Sequence, residues 1–472
     1  MTKKYLAAIL TLVLTLTLLA GCTEQTPPVS PDGPPAAADP ATALPAEPVP
    51  AEKVTLTVAG SWTDCRAIDQ AANAFTALYP NCTVVYEYLQ DYYPSLEKRM
   101  GGEAPVDLFF TTNIQADSAL LPYALDLNAC EGLDLSNTFD GLIENFAFRD
   151  EHGKTDRLYA LPVGAEMRGL YVNTTLLQSL GLAVPTDQAE LLAACRTLKD
   201  QGYIPFHGNP GAFSQLLIYP WICNLIANAE DPQAVWDRVN AREPGLSELF
   251  REPYAFLYAL VENDYYDYKR AQTELDLFND TTDEDYARYF LNINLNGETW
   301  EKTDDLGQIA FMPSTLSKRG VIDKFREDYH SAIEYVFIPA PIGPDGGFAY
   351  LSPAHGIAAN KDSANADWAV RFLSFLFTPE NNETFAATFN AIPNTKAAFS
   401  YITSLYDVPD DHISHLGQVT FDYGFYDVLV PSMVDLSKAN NPKYMQDDGA
   451  GNLSLYPLEY YLEALEGSIK AQ

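Results

Sequence analysis

Positive charge is what this chain has least of. Lys and Arg number 29 against 64 Asp and Glu, a formal net charge of −35. A surface this negative repels nucleic-acid backbones and anionic lipid heads, which sets aside DNA- and RNA-binding functions. Its plainest use is solubility outside the cell. Cysteine is also scarce. There are six, and Cys22 stands apart from Cys65, Cys82, Cys130, Cys195 and Cys223. No two form a Cys-x-x-Cys pair, so a zinc site has no ligand framework. Cys65 and Cys82 stand at opposite ends of a predicted helix and cannot reach each other. These thiols are expected mostly to pack as small apolar side chains, with one or two disulfides left open. The six histidines, at 152, 207, 330, 355, 412 and 415, are scattered. His412 and His415 lie three apart, but at what reads as the start of a loop, so no metal or other cofactor is assigned. Gly-x-Ser-x-Gly, His-Glu-x-x-His, a P-loop and a Gly-x-Gly-x-x-Gly after a strand are all missing, and no catalytic residue is assigned. Carboxylate pairs abound in any acidic chain and say little about glycoside hydrolysis. No repeat has a solenoid period.

What is present begins at the N-terminus, with MTKKYLAAILTLVLTLTLLAGC. Lys3 and Lys4 precede an apolar run from Tyr5 to Leu19 that is too short and wrongly flanked for a spanning helix. Leu19-Ala20-Gly21-Cys22 resembles the lipobox of bacterial lipoproteins. That resemblance implies a signal peptide over 1–21, lipidation of Cys22 and attachment to the outer face of the cell membrane. Acyl chains hold by about 0.8 kcal/mol per buried CH2. Residues 22–53 are rich in Pro and Ala without apolar periodicity, and read as a disordered tether. No second long apolar run follows, and the chain from Val54 on is expected to be soluble and long enough for two packed lobes.

The folded part opens with the strand-like KVTLTVAG. A helix is predicted over 64–79, where Ile68, Ala71, Ala72, Phe75, Leu78 and Tyr79 share one apolar face and Asp64 is placed to cap it. CTVVYEY (82–88) reads as a strand, 91–100 as a helix and VDLFFTTN (106–113) as a third strand. This alternation predicts a parallel sheet with crossover helices, and a ligand outside the carboxyl ends of its strands. Those ends are Gly60-Ser61-Trp62 and Thr111-Thr112-Asn113. Further on, helices are expected over 186–202, 212–228, 248–264, 283–292 and 367–377. Strands are expected over 204–210, 308–315, 333–342 and 355–360.

Four segments resemble the family 1 extracellular solute-binding proteins of ABC importers, the maltose-binding-protein-like group. They are AFTALYPNCTVVYEY, GEAPVDLFFTTN, the long run LYALPVGAEMRGLYVNTTLLQSLGLAVPTDQAELLAACRTLKDQGYIPF, and HGIAANKDSANADWAVRFLSFLFTPE. Nothing aligns over 230–300. The resemblance implies an α/β, two-lobed periplasmic-binding-protein-like fold of type II, with hinge-linked lobes around a ligand cleft. The expected division is 54–165 with 355–420 as lobe 1, and 166–354 with 421–472 as lobe 2. It implies a monomeric, non-catalytic receptor that captures a mono- or oligosaccharide and delivers it to ABC permease subunits, with no nucleic-acid partner. A secreted polysaccharide-acting enzyme and a lipid-anchored solute sensor are the rival readings.

Candidate ligand-binding residues follow, each beside its plainer role. Trp62 stacks on a sugar ring or packs on the next helix. Asp64 accepts sugar hydroxyls or caps that helix. Thr112 and Asn113 end the third strand at a family ligand position, and Glu166 matches another, with surface solvation as the alternative. Asn209, Phe213 and Gln215 match a cleft-facing loop, and Ser314 and Thr315 a second cleft position. His355 stands at the return crossing, where a lone histidine is more often structural. Tyr423 and Tyr426 fall where the family supplies a stacking aromatic, or form a core helix face.

Overall fold

The computed structural model describes residues 52–102, 104–111, 119–143, 146–149, 155–208, 213–266, 287, 288, 290–293, 308–343, 347–400, 402–408, 413–418 and 423–471. The strands that matter for the site are β1 (Val54–Gly60), β2 (Cys82–Tyr88), β3 (Leu108–Thr111), β4 (Leu161–Pro162), β5 (Gly164–Asn173), β6 (Ile204–Phe206), β7 (Ile309–Thr315), β8 (Tyr335–Ile338), β9 (Gly347–Pro353), β10 (Gly356–Ala359), β11 (Ile392–Pro393) and β12 (Ile413–Gln418). They form two main sheets. The first runs β2-β1-β3-β10-β4, and the second β12-β9-β5-β7-β6, with β8 and β11 also on β5.

In the first sheet β1 pairs in parallel with both β2 and β3, as the strand–helix alternation predicts. The crossover helix is Arg66–Leu78, with Ala67, Ile68, Ala71, Ala72 and Phe75 on its buried face. Its N-cap is Cys65, and no side chain caps it, so the expected Asp64 cap is not formed. Asp107 shows why an acid follows Val106. It is buried, and its carboxylate accepts from the Thr57 backbone N–H at 2.7 Å and from Asn365 Nδ2 at 3.2 Å. Burying a carboxylate is tolerable only with such donors around it.

The second sheet is built on β5, whose two faces are covered by different cores. Ala165, Met167 and Tyr171 face a core with Met312, Phe337 and Ile392. Leu170 and Val172 face a larger one with Phe206, Phe213, Trp221 and Leu462. The helix Gln188–Asp200 starts where TDQAE predicts. Asp187 accepts from the Glu190 N–H, and Glu190 accepts from the Thr186 N–H, a reciprocal cap. The expected 212–228 helix begins as a wide π turn, Ser214–Ile218, and continues as an α-helix over Tyr219–Ala227. Half of 283–292 lies outside the described residues.

Beyond Phe377 the sequence predicts few elements. The chain there forms the helix Pro379–Thr388, then β11, β12, the helix Tyr423–Ser437 and the helix Leu458–Ala471. Strand β12 pairs in parallel with β9, so residues 413–418, expected with the first lobe, belong to the second sheet.

Three chain segments run between the sheets, side by side. Val163 N donates to His355 O at 2.8 Å and Ala354 N to Gly164 O at 2.9 Å. On the other side Ile392 pairs with Ala165 and Pro393 with Gly164. The middle strand must be narrow here. A Cβ on Gly164 would meet Ile392 O at 2.6 Å and Ala391 Cβ at 2.9 Å.

Candidate functional site

Alternate residues of a strand share a face. On β5 the face carrying Glu166, Arg168, Leu170 and Val172 changes character along its length. Leu170 and Val172 are fully buried, whereas Glu166 and Arg168 are only half-buried. The polar end lies next to the crossing segments. Its neighbours on the flanking strands are polar as well. Ser352 pairs with Glu166 and Thr315 with Arg168. Arg168 Nε donates to Ser352 Oγ at 3.2 Å. Ser317 Oγ donates to Glu166 Oε1 at 3.4 Å and lies 2.8 Å from Thr315 Oγ1. A carboxylate, a guanidinium and three hydroxyls therefore converge at one strand end. Such a set can accept from and donate to the hydroxyls of a polar solute.

A cavity of about 290 Å³ opens beside this cluster, lined by Glu166, Met167, Ser317, Gly320, Asn390 and Ile392 among others. It draws on the crossing strand, on the turn after β7 and on the third crossing. Residue Asn390 there adopts φ 55, a left-handed conformation that Asn tolerates better than most side chains.

Above the first sheet lies an aromatic group centred on Trp62. Its indole meets Phe110, His355 and Phe389 edge to face, with centroids 5.0, 4.9 and 5.0 Å apart. Phe389 also stacks on Phe110 at 5.6 Å. Through Phe389, the residue before Asn390, this group adjoins the cavity. Burial among these rings lowers the pKa of His355 to about 4, because an imidazolium would lose its hydration there.

Among the expected site residues, Glu166 and Thr315 belong to the polar cluster. Ser314 is buried beside it, opposite Gly169. Trp62 and His355 belong to the aromatic group, and Asp64 is exposed near it. Phe213 is a correction. It is fully buried against Phe206 and Tyr266, with centroids 5.6 and 4.2 Å away, and packs as core. Thr112, Asn113 and Asn209 lie outside the described residues, as do the side chains of Gln215, Tyr423 and Tyr426. Sequence reasoning missed Arg168, Ser317, Ser352 and Phe389. Arg168 carries the one available signal, a second charged residue two places after Glu166 in a strand that carries no other charge.

The family model of bacterial extracellular solute-binding proteins matches residues 59–383. The chain belongs to this family. No curated protein matches the sequence. Solved structures share its fold at low identity. A family 1 extracellular solute-binding protein from Bifidobacterium longum subsp. infantis is 16% identical with a TM-score of 0.59, over 89% of this chain and 100% of its own. The maltose-bound MalE3 of T. maritima is 15% identical with a TM-score of 0.59, over 89% and 99%. A sugar transporter from Bacillus licheniformis in complex with stachyose is 17% identical with a TM-score of 0.54, over 89% and 100%. This extracellular solute-binding protein thus has the two-lobed α/β fold of periplasmic binding proteins. Among the described residues no helix is long and apolar enough to cross a membrane.

Proposed function

We propose that this protein captures a mono- or oligosaccharide between its lobes and delivers it to the permease of an ABC importer, acting as a receptor and not as an enzyme. The observation that carries this reading is the convergence of Glu166, Arg168, Thr315, Ser317 and Ser352 at the open end of β5, beside a cavity at the crossings. Hydroxyl-rich solutes need this mixture of donors and acceptors, and the aromatic group around Trp62 offers an apolar face to a sugar ring. The sugars named for the fold's relatives, maltose and stachyose, agree with it. In this reading the lobes divide at the three crossings. Strand pairing favours 54–163 with 356–390 as one lobe, and 164–353 with 392–471 as the other. The lobes close by bending of the crossings, a motion given for periplasmic binding proteins in general. A lipid on Cys22 and the 22–53 tether would keep the monomeric receptor on the outer membrane face, beside its permease.

Thermal shift against a panel of mono- and oligosaccharides tests the capture step. At least one sugar should stabilise the protein by several degrees and be recovered unchanged. Glu166→Gln should bind that sugar about tenfold or more weakly, since hydrogen bonds to a charged group contribute about 1.5–3 kcal/mol. A panel with no binder, or a sugar returned as hydrolysed product, would overturn the reading.

A further inference from the structure

The loop that carries Trp62 is held by one hydroxyl. Tyr86 Oη accepts from the Trp62 backbone N–H at 3.1 Å and donates to the Trp62 carbonyl at 2.8 Å. Both backbone groups of a single loop residue are thereby satisfied by one side chain from the neighbouring strand. A hydroxyl donates and accepts through one oxygen atom, and among hydroxyl side chains tyrosine has the longest reach. Tyr86 pairs with Val58 in the β1–β2 register, two residues before Gly60. Its ring tip crosses directly over Gly60. A Cβ there would sit 2.4 Å from Tyr86 Oη and 2.7 Å from Cε2. The glycine at the end of β1 is therefore required by the ring that reaches past it. Tyr92 adds a second tie at the same strand ends, its hydroxyl 3.2 Å from Ala59 O and 2.6 Å from Phe110 O.

What the tie holds matters for the site. Trp62 touches two of the three crossing regions, through His355 and Phe389. We infer that Tyr86, with Gly60 beneath it, is a positioning residue for solute binding, fixing the Trp62 backbone so that its indole meets both the solute and the crossings. This rests on the carbohydrate-capture reading above. Burial raises the pKa of Tyr86, which keeps its hydroxyl neutral and able to donate.

The test compares the wild type with Tyr86→Phe, which keeps the ring and removes both hydrogen bonds, and with Tyr88→Phe, an exposed tyrosine on the same strand. Two quantities are read: amide exchange along 58–64, and affinity for the sugar found in the panel. Tyr86→Phe should speed exchange of the Trp62 amide about tenfold or more while β1 keeps its protection. It should weaken sugar binding about tenfold, the loss expected for a pair of ordinary hydrogen bonds. Gly60→Ala should reproduce both effects by displacing the ring, and Tyr88→Phe should show neither. The inference is overturned if Tyr86→Phe leaves the Trp62 amide protected, or frees it without weakening sugar binding. It is equally overturned if β1 and β2 lose protection throughout, which would make Tyr86 merely structural. If the wild type binds no sugar, the capture reading fails by itself, and the exchange measurement still decides whether Tyr86 holds the loop.

Discussion

A half-buried histidine packed against aromatic rings makes a clear demand at the scale of one residue. His355 has its pKa lowered to about 4 by desolvation, against 6.5 for the free side chain. Between those values the unfolded chain binds a proton that the folded chain refuses, so stability rises with pH across that window. Full stability from this group is present above pH 6.5. It is lost as pH falls towards 4, by about 3 kcal/mol at most, and no further below that, because both states are then protonated. Urea denaturation of the wild type and of His355→Gln at intervals from pH 7 to 4.5 checks this. The difference between the two curves should shrink or reverse in favour of the variant as the solution becomes more acid. A difference independent of pH would show that the imidazole titrates freely in the folded protein. The same residue shows what a sequence can and cannot say. Its position at a crossing was readable from the GIAAN strand that follows it. Its neutrality was not, because Trp62 and Phe389 reach it from other elements, Trp62 from 293 residues away.

At the scale of elements, legibility follows the range of the interactions that make each one. The helix Gln188–Asp200 was readable because its cap and apolar face lie within its own residues. The parallel part of the first sheet, β1 to β3, was readable because strand and helix alternate in order; the antiparallel pairing that adds β10 and β4 was not. The third crossing was not, since β11 has two residues and owes its existence to pairing with Ala165 and Gly164. It is also held by a pair of buried amides. Asn382, on the helix Pro379–Thr388, accepts from the Asn394 backbone N–H at 2.8 Å through Oδ1 and donates to Val163 O at 3.4 Å through Nδ2. Asn394 Nδ2 lies 3.5 Å from Pro162 O. Both side chains are 1% exposed, so water cannot replace a lost partner. Asn382→Leu should therefore cost about 1–3 kcal/mol for the stranded Asn394 N–H. Glu383→Ala, one residue on and exposed, should stay within about 0.5 kcal/mol of wild type. Equal urea midpoints for the two variants would mean that the amide pair does not hold the crossing.

For the whole molecule the question is what replaces covalent staples outside the cytoplasm. Among the described residues, Cys65, Cys82, Cys130, Cys195 and Cys223 form no disulfide. Cysteine spacing alone leaves a disulfide or two open, because it carries no information about which side chains meet. The structure distributes the thiols as apolar filling. Cys65 and Cys82 sit in the core of the first sheet, and Cys195 and Cys223 in the larger of the two cores on the second. A chain of this length buries enough surface in its cores to be stable without cross-links. Burial also pushes the Cys65 and Cys82 thiols up to about 11, and Cys195 higher still, so the reactive thiolate is rare at neutral pH. Cys130 differs in being half-buried, with Sγ 3.5 Å from Asp126 O. Titration of the chain from Lys53 onward with an aromatic disulfide reagent at pH 7.5 should modify Cys130 at most while the protein is folded, and all five thiols in denaturant. Addition of a reductant should leave the melting temperature unchanged, since it has no bond to break. Rapid modification of more than one thiol in the folded state would show that one of these cores opens to solvent, and would move Cys65 or Cys82 out of the packed interior assigned to it.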